Sequence, residues 1–467
     1  MRNYFFLFLL FIAGFSAFMG SSGCANIIPP AGGPKDTIPP QLLKSDPPDS
    51  TTHFNQKEIN LHFNEYVDLR DPNNNIIYTP TFDRKPEISS QGRSIRIRFQ
   101  DTLEPNTTYV INFGNAIVDV NEGNPLGNYV YSFSTGAVMD SLEISGRVIL
   151  AETGGIDSTL SVILHRKLYD SAVAKERPPY VVRLNQQGEF RFRYLPSDSF
   201  AIYAIGTGGI GWTYTNKSQL FAFADQHIVS GADSILLYAY REKAPTSSTP
   251  AGAGGLGQLP GRISATDRRL RMTPPTSNQD LQKDYLLNLS VPLRQFDSTK
   301  VHLSTDTLFT PVVFTATLDS SRKQMRIKTS WRENTAYNLI LEKDFAADTA
   351  GRQLLKTDTL FFNTMKEADY GKLVIRLKNI DLSQNPVLQF VQNNQVVVSV
   401  PVKEGFFSQN LFIPGDYNLR ILYDKNDNGK WDPGQFFGEK KQPEIVQPIQ
   451  RTITVKPAWD NEFDIAL

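Results

Sequence analysis

Cysteine is nearly absent: Cys24 is the only one among 467 residues. No intramolecular disulfide is available, so each folded part depends on its own apolar core. Net charge is absent too, because 48 Lys and Arg balance 48 Asp and Glu. Such a chain presents no overall field to attract nucleic acid or an anionic surface. The histidines, His53, His62, His165, His227 and His302, are too scattered for a metal-protease spacing, and no Gly-x-Ser-x-Gly elbow occurs. They read as surface or strand histidines, and no catalytic residue is assigned. The one long apolar run, Tyr4 to Met19, is short for a membrane span.

What the chain does contain is short alternating stretches. Ile59, Leu61 and Phe63 alternate with polar neighbours, as do Ile95, Ile97 and Phe99, then Tyr109, Ile111 and Phe113, then Tyr129, Tyr131 and Phe133. Period two puts one face of a strand in a core and leaves the other wet. Several such strands between turn signals predict β-sandwiches, and 11% aromatics with 29 prolines suit strands and turns better than helices.

The stretch Asn106–Phe133 returns in diverged form 228 residues later. Asn106, Thr107 and Tyr109 meet Asn334, Thr335 and Tyr337, and Gly123 and Phe133 meet Gly351 and Phe361. Upstream, Ile59 to Leu61 lies over Leu287 to Leu289, and Arg96 to Phe99 over Gln324 to Ile327. A fixed long offset marks a duplicated structural unit. At an offset of 218, Tyr194 to Asp198 parallels Phe412 to Asp416.

The opening, Arg2, the apolar run and Gly20-Ser21-Ser22-Gly23-Cys24, resembles a bacterial lipoprotein signal, with Ser21 where that signal usually carries Leu. The resemblance implies loss of residues 1–23, acylation of Cys24 and a lipid anchor in the outer membrane. A free or buried cysteine after an ordinary signal peptide is the other reading. Residues 24–40, rich in Pro and Gly, read as a tether. Surface-exported lipoproteins of the Bacteroidota often carry acids just after the cysteine. The first acid here is Asp36, so the periplasmic and surface faces both stay open.

Residues 41–136, with DPPDSTTHFNQKEINLHFNEYVD and LEPNTTYVINFGNAIVDVNEGNPL, resemble the bacterial Ig-like domain named after the SbsA surface-layer protein. Residues 262–366 are its second copy, with Leu293 at the position of Glu65. Residues 141–241, with Ile144 to Val148, Gly188 to Phe192 and Leu195-Pro196, are similar to the transthyretin-like or carboxypeptidase-regulatory-like sandwich, and 370–467 echo them. Between the pairs, 243–261 is a Pro, Gly, Ser and Ala linker. The expected fold class is therefore all-β, Ig-like sandwiches alternating with transthyretin-like ones. Phe463, Ile465 and Leu467 predict a paired strand at the end.

The sharpest chemical motif is Asp424, Asn426, Asn428, Lys430 and Asp432, with Gly429 between. Oxygen side chains at alternate positions, Lys430 offering its carbonyl, can wrap a hard cation. The motif resembles an EF-hand-type loop, but Gln435 stands where that loop supplies a bidentate Glu. A structural calcium and a metal-free Asn/Asp/Gly turn are both open readings; no other cofactor is implied. Gly206 to Gly211 matches a dinucleotide fingerprint literally, yet no helix pattern follows, so it reads as a sandwich loop. Asp119, Asn121, Glu122 and Asn124 read as a turn. At the 228 offset Ala347 and Thr349 replace Asp119 and Asn121, so the repeat requires no metal there. Asp101-Thr102-Leu103, Asp233-Ser234-Ile235 and Asp358-Thr359-Leu360 resemble the O-glycosylation acceptor of Bacteroidota, or are ordinary turn chemistry.

The implied role is structural or adhesion-type, without catalysis. Its partners are the membrane through the anchor and an envelope protein or glycan, not nucleic acid. The competing class is an accessory or catalytic envelope protein with a site between domains, which requires converging carboxylates or histidines. A binding role requires an exposed aromatic patch; Trp212, Trp331, Trp431 and Trp459 are expected in cores.

Overall fold

The computed structural model describes residues 35–206, 211–242, 269–275 and 278–467. Cys24, the signal, most of the tether, the linker 243–261 and Thr207 to Ile210 lie outside the described residues. Strands hold 47% of the described residues and helices 4%, which makes the chain all-β, a series of β-sandwiches. Among the described residues no helix is long and apolar enough to cross a membrane. The chain divides into two compact units: Met1–Leu142 with Pro179–Val181 and Tyr194–Pro196, and the remainder.

In the first unit, Leu42–Asp46, Glu58–Phe63, Ser94–Arg98 and Glu87–Gln91 lie side by side in that order, antiparallel throughout. A second sheet sets Thr108–Asn112 between Ile77–Thr79 and Val130–Ser134, while Val67–Leu69 pairs with Ile117–Asp119. The alternating residues meet as the pattern requires. Ile59, Leu61, Phe63, Ile95 and Ile97 from one sheet share a core with Tyr109, Ile111, Tyr131 and Phe133 from the other. Each such side chain contributes about 1.5–3 kcal/mol by leaving water.

The same order returns in the second unit. Met272–Thr273, Tyr285–Leu289, Gln324–Lys328 and Thr315–Leu318 form one sheet. Thr310–Pro311, Val301–Thr305, Ala336–Leu341 and Asp358–Asn363 form another, and Leu293–Phe296 pairs with Ala346–Asp348. Ile59 pairs with Ile97 as Leu287 pairs with Met325, so the 228 offset holds here. It also holds at the turn where Asn106 and Asn334 are left-handed, φ 49 and 48. Just beyond, the Tyr109 hydroxyl accepts the Glu104 N–H at 2.8 Å and that of Tyr337 the Arg332 N–H at 3.0 Å. Such a tyrosine ties a strand to the corner before it.

Thr135 accepts the Thr107 N–H and donates to the Glu104 carbonyl, and Thr364 does the same with Thr335 and Arg332. The offset has become 229. Phe133 therefore corresponds to Phe362, not to Phe361: Tyr109 pairs with Phe133 and Tyr337 with Phe362, rings stacked at 5.3 and 5.7 Å. Phe361 is 73% exposed. Asp119 likewise corresponds to Asp348 rather than Ala347, and Leu293 to Val67 rather than Glu65, because Val67 pairs with Asp119 as Leu293 pairs with Asp348. In a strand a one-residue slip turns a side chain to the opposite face, so an ungapped offset misassigns residues beyond a loop that differs in length.

The remaining sheets also repeat. Glu189–Leu195, Leu142–Leu150 and Ile235–Ala239 form one, its last pair parallel. Tyr180–Arg183, Ser161–His165, Ser199–Ile205 and Phe221–Phe223 form the other. Their counterparts are Phe406–Phe412, Gly371–Lys378 and Asp460–Ala466, then Gln395–Pro401, Pro386–Gln392, Gly415–Tyr423 and Ile445–Val455. The strand Asp460–Ala466 is paired, and it runs parallel to Gly371–Lys378. Ser161–His165 and Phe221–Phe223 are buried at every residue and Ser199–Ile205 at all but the first. Unbroken apolar runs of this kind belong to strands covered on both faces.

Candidate functional site

The loop from Asp424 to Glu444 joins Gly415–Tyr423 to Ile445–Val455. Asp424 is fully buried. Its carboxylate accepts the Asn426 N–H at 3.2 Å and the Gly429 N–H at 2.6 Å, while Asp427 and Gly429 turn the backbone left-handed. Asn428 Oδ1 accepts the Lys430 N–H at 2.7 Å, and the Asn426 and Asn428 amides both donate to Asp432. The motif residues thus come together as a turn stapled by its own side chains. Lys430 contributes no side-chain oxygen.

Sequence spacing missed Glu444. It is fully buried, and accepts the Lys425 N–H at 2.9 Å and the Asp432 N–H at 3.0 Å. Burial raises its pKa, the two N–H groups oppose this, and the Asp424 and Asp432 charges add to the rise. Trp431 donates to the Glu444 carbonyl at 2.8 Å and packs on Val387, Leu422 and Val446. Among the described residues no three His, Cys, Asp or Glu side chains are grouped to hold a metal ion. The donor chemistry, carboxylates and amide oxygens, is nonetheless the hard-oxygen set that calcium takes.

The far end of this loop reaches the second sandwich. Phe436, 1% exposed, places its ring 5.6 Å from Tyr203, 5.0 Å from Phe221 and 5.1 Å from Phe223. Phe437 stacks on Tyr214 at 5.9 Å. Glu242, its side chain 5% exposed, accepts the Tyr214 hydroxyl at 2.9 Å and the Phe436 N–H at 3.2 Å, and pairs with Lys217 at 2.8 Å. Burial first, and then the bond to Glu242, raise the Tyr214 pKa. Gln442 donates to the Phe223 carbonyl and to Asp225, and Lys440 pairs with Asp170 at 2.6 Å. The Val446 N–H donates to the Ala151 carbonyl at 2.9 Å. Gly434 fits only without a side chain, since a Cβ would lie 2.6 Å from the Tyr240 ring.

Other singled-out residues fall apart from this loop. Asp119 accepts three N–H groups, from Glu122, Gly123 and Asn124, at 2.7 to 2.9 Å. Burial raises its pKa, but those bonds prevail and hold it below the usual range. Asp348 staples the matching turn through Ala350 and Arg352, so the copies share a turn device. His165 is 2% exposed and its Nε2 has no partner; burial brings its pKa down to about 4, against an upward pull from Glu176. The other four histidines are not buried. Two of the tryptophans pack against cores while half-buried, Trp331 in the third sandwich and Trp431 on Val387, Leu422 and Val446; Trp212 is half-buried and Trp459 is 64% exposed. Thr102 and Ser234 are exposed, whereas Thr359 is half-buried in a strand.

Residues 36–135 match the family model for a bacterial Ig-like domain. That Ig-like domain coincides with the first sandwich, and its two-sheet core is the one described above. Solved structures resemble the chain faintly. The N-terminal part of the bacterial S-layer protein SbsC is 12% identical over 42% of this chain and 45% of its own, at a TM-score of 0.16. The Bacillus anthracis TIE protein is 10% identical over 94% and 75%, and the Bacillus cereus major pilin BcpA 9% over 70% and 98%, both at 0.16. The chain thus spans less than half of the S-layer fragment. At these scores the likeness carries no argument. No curated protein matches the chain.

Proposed function

We propose that this chain is a lipid-anchored, non-catalytic protein of a bacterial outer membrane, structural or adhesion-type in role, acylated at Cys24. The observation that carries the reading is a chain built of repeated sandwiches, the first, third and fourth each closed on its own apolar core, and an N-terminal sequence that resembles a lipoprotein signal supports the anchor. The match of residues 36–135 to an Ig-like domain supports it. Transthyretin-like identity for the second and fourth sandwiches, and an envelope protein or glycan as partner, belong to the same proposal. Metabolic labelling with an acyl probe tests the anchor: wild type should incorporate label and Cys24→Ser should not. Equal labelling of both sinks it.

The Asp424 loop belongs to this reading as a calcium-stiffened turn. Asp424, Asn426, Asn428, the Lys430 carbonyl and Asp432 would hold the ion, with Glu444 in the place Gln435 cannot fill. Two fully buried carboxylates, Asp424 and Glu444, support it, because a cation would offset the burial, and then the neighbouring Asp424 and Asp432 charges, that raise Glu444. A thermal melt should rise with calcium and fall with chelator, and Glu444→Gln should remove the difference. An unchanged melt ends the calcium reading and leaves the turn.

A further inference from the structure

The contact between the second and fourth sandwiches has a peculiar place in the chain. Glu242 stands immediately before the linker, and its carboxylate receives the N–H of Phe436, 194 residues further on. Between them lie the linker, the third sandwich and the fourth sandwich as far as Gly415–Tyr423, so the two ends of that long stretch meet at one hydrogen-bond hub. The third sandwich has its own tie to the fourth, since the Tyr370 hydroxyl donates to Asp280 at 2.9 Å. The second sandwich is therefore joined to the fourth by two routes, one through the backbone and one through the Phe436 loop.

These routes differ in strength. The third and fourth sandwiches each close on more than a dozen buried apolar side chains. The Phe436 contact has one fully buried ring, one stacked neighbour, Gly434 against the Tyr240 ring, a backbone bond from Val446 to Ala151, and polar ties at Glu242, Gln442 and Lys440. Small, partly polar contacts between domains open before cores do. Because the partners stay tethered, they also meet again at high effective concentration.

We infer that this contact is a releasable clasp, which carries tension directly from the second sandwich to the fourth and adds the bypassed chain when it opens. The inference rests on the structural role proposed above. Opening would leave the second sandwich joined to the fourth only through the backbone that runs by way of the third, while every sandwich stays folded.

The experiment is single-molecule stretching of the full, unacylated chain, held at the Cys24 thiol and a C-terminal tag. Wild type should show one early, reversible lengthening before any sandwich unfolds. Glu242→Gln, which leaves every core intact, should lower its force, and Phe436→Ala should abolish it. Absence of the early step in wild type, or the same step at the same force in Glu242→Gln, overturns the clasp. If Phe436→Ala loses an unfolding event as well, Glu242→Gln alone decides. A clasp that works in a chain whose Cys24 is never acylated in cells would leave this inference standing and remove the anchor.

Discussion

The second and fourth sandwiches share one strand order, down to the parallel pairing of their first and last strands. Their loops do not match. Ser161–His165 and Tyr180–Arg183 are joined through an excursion with a helical turn at Ala172–Lys175, where Pro386–Gln392 turns directly into Gln395–Pro401. The third and fourth strands of the same sheet are joined by residues 206–220 in one copy and 424–444 in the other, and these loops meet at Tyr214, Phe436 and Phe437. Duplication kept the frame, and divergence of the loops let one copy recognise the other.

The strongest way to break this comparison is to remove the ring. Phe436→Ala should cost about 3 kcal/mol or more in urea unfolding of the second unit. The same change at a solvated loop position would cost almost nothing, so an effect below about 0.5 kcal/mol would deny that the loops recognise each other.

Acid should separate the copies next. His165 titrates at about 4 when folded and about 6.5 unfolded, so the unfolded state takes the proton first. Stability from this residue is complete above pH 6.5 and is lost as pH falls toward 4, by at most about 3 kcal/mol. Residues 370–467 contain no histidine, so the fourth sandwich has no such loss. In urea melts across that window the stability of wild type should fall relative to His165→Phe as the pH drops, and a pH-independent difference would deny the burial of this ring.

The smaller effects concern the first and third sandwiches. Tyr109→Phe and Tyr337→Phe should each cost about 1 kcal/mol, by the same loss of a corner hydrogen bond. Phe361→Ser should fall within about 0.5 kcal/mol of wild type because the ring is 73% exposed. A large loss at Phe361 would restore the 228 register at the last strand and reject the 229 register.

Alternation revealed the strands, and the long offset revealed that the first frame recurs, because burial on one face imposes a period that survives divergence. Registration at Val67 and again beyond Tyr109 was not legible, since loops that differ by one or two residues leave no mark in an ungapped comparison. Glu444 was hidden for a related reason: it lies 20 residues past Asp424, and only the fold brings it back. Phe436-Phe437 did leave a trace, two adjacent rings in a loop of Gly, Pro and Lys, and so did the unbroken run of Ser199–Ile205 that they cover. Both signs were visible separately, but neither says which distant segment supplies the cover.

The parallel pairing of the first strand with the last has a kinetic side. Leu142–Leu150 waits for Ile235–Ala239, some ninety residues later, before its sheet can close. Pairings so distant slow folding, and a polypeptide threaded through a membrane from its front end would keep each half-built sheet exposed until the closing strand emerged. The same delay recurs in the fourth sandwich, where Gly371–Lys378 waits for Asp460–Ala466.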